Sequence, residues 1–228
     1  MDLVPDIFFE KQEGNLCAQH ALNALLQGPY FTAIDLAEIG RDLDAKESIV
    51  HGRQVHGNNY DDSGYFSIQV IQRALSVWDL ELVPWGSTDA SSAREAPQDQ
   101  LAYICHLDQH WFTLRKFAVP WRWYNLNSTQ ACPSYLSETY LGMLLQQIQS
   151  EGYSIFIVKG SLPGCSADER AVHMAPPSMQ EKSKGATPFS GKGVRLSDTV
   201  GDNTHNEATS PSQPSLDEIR QKRLARFG

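Results

Sequence analysis

A chain of 228 residues with 41% hydrophobic content can bury one substantial core, and its formal charge of −8 lacks the clustered lysines and arginines that a phosphate backbone demands, which excludes nucleic acid as the main partner. No apolar run reaches the roughly 18 residues of a membrane span, and Met1 to Glu10 carries acids where a secretory signal would carry bases, so a soluble intracellular protein without a membrane partner is expected. Cys17, Cys105, Cys132 and Cys165 are spaced as neither a disulfide framework nor paired zinc ligands, which suits a reducing compartment and leads us to expect no metal or other cofactor.

The first element follows Gln12-Glu13-Gly14-Asn15 and is predicted as a helix from Leu16 to Gln27, with Asn15 as its cap, Ala18, Ala21, Leu22 and Leu25 on one face and Gly28 at its end. Cys17 then lies in the first turn, where unpaired backbone N–H groups favour thiolate over thiol. Gln12, five residues upstream, can offer a side-chain N–H to the oxyanion that thiolate attack on a carbonyl creates. Taken alone, a buried helical cysteine is ordinarily a small hydrophobe, so its partners decide.

A second helix is predicted over Ile34 to Leu43, followed by a polar loop from His51 to Tyr60 whose His51 and His56 lack ligand spacing. Asp61-Asp62-Ser63-Gly64 supplies turn and capping groups for a helix from Tyr65 to Trp78, with Phe66, Val70, Ala74, Val77 and Trp78 on its apolar side and Ile68 at the edge. Short β-like segments follow at 80–85, 101–107, 110–116, 121–126 and 153–159, with a helix from Ser137 to Gln149 before the last of them. Helices first and a mostly antiparallel sheet later make this an α+β domain.

His110 opens the strand-like run His110-Trp111-Phe112-Thr113 after a turn, which places its ring at a sheet end where a general base is useful. Asn127 is assigned to the following strand, beside His110, where its amide can orient the imidazole. Cysteine, histidine and asparagine in this chain order match papain-like proteases. His20 ranks below His110 as the base because an i, i+3 neighbour of Cys17 points along the helix surface, and His106 ranks lower still.

Charge and composition both change near Cys165. Residues 1–165 carry 10 basic and 19 acidic side chains, residues 166–228 carry 9 and 8, and of the aromatics only Phe189 and Phe227 lie in the second part. We therefore expect a folded domain over 1–165 and a disordered tail over 166–228.

The segments Gln12 to His20, Asp61 to Val70, His110-Trp111-Phe112-Thr113 and Asn125-Leu126-Asn127-Ser128 together resemble the Josephin family, in its order. The resemblance implies a papain-like deubiquitinase of the nucleus and cytoplasm that cleaves thioester, isopeptide or peptide bonds at the ubiquitin carboxy terminus. Cys17 would be nucleophile, His110 general base, Asn127 orienter and Gln12 part of the oxyanion hole. It also implies that ubiquitin is held by Ile68, Gln69 and Trp78, with Tyr30 and Phe31 as a second patch. The stretch between Leu43 and Asp61 is shorter than the family's helical arm, so gating by that arm is not assumed. A noncatalytic ubiquitin-binding adaptor is the alternative.

In the tail, Phe189, Gly191, Gly193 and Leu196 form a pattern, within about 188–197, similar to the short motif by which adaptors bind the AAA segregase valosin-containing protein; an inert linker is the alternative. Residues 215–227 carry a capping-box pair, Ser215 and Glu218, and an apolar stripe of Leu216, Ile219, Leu224 and Phe227, as a short docking helix would. The basic side chains Arg220, Lys222, Arg223 and Arg226 fit such a helix, a nuclear-import patch or a solvated terminus.

Overall fold

The β-branched and aromatic alternation in the second half of the chain becomes a six-stranded antiparallel sheet in the computed structural model, which describes residues 2–12, 14–51, 59–61 and 64–176. Its strands are β1 (Glu81–Pro84), β2 (Ala102–Leu107), β3 (His110–Lys116), β4 (Trp123–Asn125), β5 (Ser134–Leu136) and β6 (Ser154–Lys159), in the order β1-β6-β2-β3-β4-β5. Helices α1 (Cys17–Leu26), α2 (Ala33–His51) and α3 (Ile68–Ser76) cover one face, where Leu22, Leu25, Val70 and Ile71 meet Ile104, Trp111 and Val158. Helices α4 (Ser91–Glu95) and α5 (Glu138–Ser150) cover the other, where Ala93, Leu141 and Leu145 meet Tyr103, Phe112 and Trp123. The α+β expectation holds, and period-two alternation explains the division: Trp111, Thr113 and Arg115 of β3 turn toward α1 while Phe112 and Leu114 turn toward α5.

Several boundaries differ from the sequence reading. Leu16, not Asn15, occupies the cap position of α1, and no side chain caps that helix. The helix ends at Gln27 in a left-handed conformation (φ +62°), ahead of Gly28; the Gln27 side chain compensates by donating to Ala24 and Phe8 carbonyls and accepting from the Phe8 amide. A Cβ at Gly28 would lie 2.6 Å from the Tyr30 ring, so a larger residue there would have to displace that ring. Helix α2 continues to His51, past Leu43 through the good helix formers Ala45, Lys46 and Glu47, although it has no apolar stripe to announce the extension. Helix α3 starts only at Ile68, capped by Ser67, and Val77 is 76% exposed instead of lying on an apolar side. Strand β4 stops at Asn125, so Asn127 lies in the turn beyond it; β5 and α4 are short elements that the pattern did not show.

The folded part also runs past residue 165. Helix α6 (Ser166–Val172) buries Ala167 and Ala171 completely against Leu3, Phe117 and Leu126, and Asp168 pairs at 2.8 Å with Arg115, itself 1% exposed. The boundary drawn from composition was therefore too early, because alanines seal this helix without a strong hydrophobic signal. The tail motif with Phe189, Gly191, Gly193 and Leu196, the segment 215–227 and His56 lie outside the described residues.

Candidate active site

Helix α1 begins at Cys17, and β2 and β3 are joined by the two-residue turn Asp108-Gln109, with Asp108 left-handed at φ +53°. That turn brings the Gln109 carbonyl to 3.2 Å from the Cys17 sulfur, which donates its proton to it. Cys17 is 2% exposed. Burial pushes the thiol up, and the amides of Trp111, Ala18 and Cys17 itself pull it back without restoring it. The sulfur is thus engaged as a hydrogen-bond donor, and desolvation works against the thiolate that the first-turn amides favour.

His110, the first residue of β3, sits against Asn127, with Nε2 2.9 Å from Asn127 Oδ1. The bonding network assigns the proton. The backbone amide of Thr129 can only donate, and it points at that same Asn127 atom at 3.1 Å, with the Thr129 hydroxyl at 2.9 Å. The atom is therefore the amide oxygen, His110 donates through Nε2–H, and its Nδ1 is left with a lone pair for proton uptake. Asn127 is held by turn bonds, its amide donating to Asn125 Oδ1 and its carbonyl accepting from the Gln130 amide.

Gln12 approaches from the chain before α1. Its backbone amide donates to the Ser128 carbonyl at 2.8 Å, its Nε2 donates to the Gly14 carbonyl at 2.6 Å and its Oε1 accepts from the Ser128 hydroxyl at 3.0 Å. Gln12, Cys17 and His110 share a cleft of about 330 Å³ walled also by Tyr65, Gln109 and Tyr153. Four residues chosen from sequence thus converge on one place: three line the cleft, and Asn127 bonds the third of them, His110. Tyr65, Gln109 and Tyr153 are not marked by the sequence pattern, which runs a helix through Tyr65 and starts a strand at Tyr153, while Gln109 meets Cys17 through its backbone carbonyl. The Glu151-Gly152 pair, with Gly152 at φ +91°, marks the turn that brings in Tyr153.

The rival histidines are engaged elsewhere. His20 is 9% exposed and bonds Glu10 at 3.0 Å. His106 stacks on Trp111 at 4.0 Å, with burial pulling it below the usual imidazole range.

Of the surface residues, Gln69 is exposed and Ile68 is half-buried at the start of α3. Trp78 meets Tyr30 edge-on at 4.7 Å, so these two, expected on separate patches, are continuous. Phe31 turns into the core, its backbone N–H and carbonyl both held at 2.9 Å by the Asn23 side chain, and offers little to a partner.

Residues 12–159 match the model of the Josephin family. The chain is similar to ataxin-3 of Rattus norvegicus (47% identical over 175 residues, 72% of this chain and 49% of the relative) and of Homo sapiens (47% identical over 175 residues, 72% and 48%). It is similar also to the ataxin-3 homolog of Arabidopsis thaliana, with 44% identity over 170 residues, 69% of this chain and 60% of that protein. The chain spans about half the length of the first of these relatives.

Proposed function

The chain belongs to the Josephin family, and from that premise we propose that it is a cysteine protease hydrolysing thioester, isopeptide or peptide bonds at the ubiquitin carboxy terminus. The observation that carries this reading is the hydrogen-bonded pair His110–Asn127 at the cleft that holds the Cys17 sulfur. In the reaction the thiol proton passes to His110 Nδ1 and the sulfur attacks the carbonyl carbon. The carbonyl π pair becomes an oxyanion met by a Gln12 N–H, and the imidazolium returns its proton to the departing amine. Water, deprotonated by the same imidazole, then hydrolyses the acyl-thioester and frees Cys17.

A ubiquitin derivative with an electrophile at its carboxy terminus tests this. It should label Cys17, and labelling should accelerate as pH rises through neutrality. The sign follows from the buried thiol: its proton is held more tightly than usual, so the reactive thiolate grows in at higher pH than for a free cysteine. Ubiquitin binding without labelling at any pH would favour the noncatalytic adaptor instead.

For ubiquitin recognition we favour Ile68, Gln69, Trp78 and Tyr30, a partly exposed aromatic and aliphatic surface along and beside α3. For the tail we favour docking to valosin-containing protein through Phe189 and Leu196, supported by two apolar anchors amid glycines in a polar sequence. Changing Phe189→Ala in the full chain should weaken that binding roughly tenfold or more, as loss of an aromatic anchor does. Unchanged affinity removes the tail from the interaction.

A further inference from the structure

The turn that holds Asn127 continues into Ser128, whose side chain is 2% exposed and directed at Gln12, from a position 116 residues away in sequence. A buried hydroxyl needs a partner, and here the partner's chemistry is determined. The Gly14 carbonyl can only accept, so the Gln12 atom 2.6 Å from it is Nε2, and the atom facing Ser128 is Oε1. Reversing the amide would set two oxygens against each other at Gly14. Ser128 therefore donates, and the Gln12 amide is gripped at both ends, by Ser128 at the oxygen and by Gly14 at the nitrogen. Of the two N–H bonds on Nε2, one is occupied by Gly14 and the second, unpaired among the described residues, is left for a developing negative charge in the cleft that Gln12 lines.

We propose that Ser128 is a positioning residue for the reaction: its hydroxyl fixes the plane of the Gln12 amide and so aims the second N–H at the oxyanion. The proposal rests on the reading of Cys17 as nucleophile and Gln12 as oxyanion donor. It gives one turn two duties, because Asn127 sets the base and the next residue sets the electrophilic donor. Thr129 is the counterpart on the other side, pinning the Asn127 oxygen with its amide and hydroxyl. Without the Ser128 hydroxyl, the Gln12 side chain keeps one tether and its amide plane can turn, which costs aim in the transition state while leaving substrate docking alone.

Turnover of ubiquitin carrying a carboxy-terminal fluorogenic amide, measured for the full chain and for S128A, Q12A and the double variant, tests this. S128A should lower kcat about tenfold with KM unchanged, a part of the 10²–10³-fold typical for losing an oxyanion donor altogether. In the Q12A background the same change should have no further effect. S128A should also weaken binding of ubiquitin aldehyde, whose adduct with Cys17 carries an oxyanion-like oxygen, and leave binding of unmodified ubiquitin as it was. That second readout does not depend on turnover, and a merely structural serine would not move it selectively. Equal losses from S128A with and without Gln12, a rise in KM alone, or no effect of S128A beside a clear effect of Q12A would each overturn the proposal. A Q12A variant with normal kcat would overturn it together with the assignment of Gln12, whereas failure of the electrophilic probe to label Cys17 would strike the underlying activity.

Discussion

Cys17→Ala should lower ubiquitin cleavage by at least about ten-thousand-fold, because in the proposed reaction the sulfur is the atom that forms the acyl bond. The same variant should fold. Cys17 is 2% exposed among apolar neighbours, and alanine there removes one buried atom, at a cost of about 1 kcal/mol, or a fall in Tm of roughly 2–4 °C for a domain of this size. Activity and melting measured on one preparation separate the two effects. Retained cleavage in a well-folded Cys17→Ala protein would end the nucleophile assignment.

The second large effect concerns stability and lies far from the cleft. Arg115 is a buried guanidinium on β3 that donates to the Leu25 carbonyl at the end of α1, to Pro163 at 3.4 Å and to Asp168 at 2.8 Å. Burial pulls its pKa down, and Asp168 is the main group holding the charge in place. Asp168→Ala leaves that cation without its counter-ion, which should cost about 3 kcal/mol and lower Tm by roughly 6–12 °C, whereas Arg115→Met, which removes the charge itself, should cost less. A chain ended at residue 165 loses Asp168 together with the buried Ala167 and Ala171, and should be destabilised further. One ended at residue 176 keeps both these contacts and the 2.7 Å bond from Arg122 to the Ala175 carbonyl. Thermal melts of the intact chain, the two substitutions and the two truncations decide it: a truncation at 165 that melts with the intact chain would show that α6 contributes nothing.

The candidate site was more legible in the sequence than the fold around it. Cys17, His110, Asn127 and Gln12 announce themselves by residue type and chain order, which survive any error in element boundaries. Asn127 was placed on a strand and lies in a turn, yet it still meets His110 because the Leu126 amide keeps pairing with the Thr113 carbonyl past the end of β4. What escaped was whatever lacks an apolar period: the polar second half of α2, the three-residue β5, and an α6 sealed by two alanines. The ease of thiolate formation expected from the helix start is opposed by burial for a related reason. A sequence shows that Cys17 opens a helix, but not how deeply the neighbouring elements bury it.

The bond from the Cys17 thiol to the Gln109 carbonyl also bears on the chemical durability of the sulfur. The proton stays on the sulfur and points at the carbonyl of the residue next to His110, so the thiol is hydrogen-bonded beside the proposed base. While that bond lasts the sulfur is held in the thiol form, which reacts poorly with peroxide and other stray electrophiles.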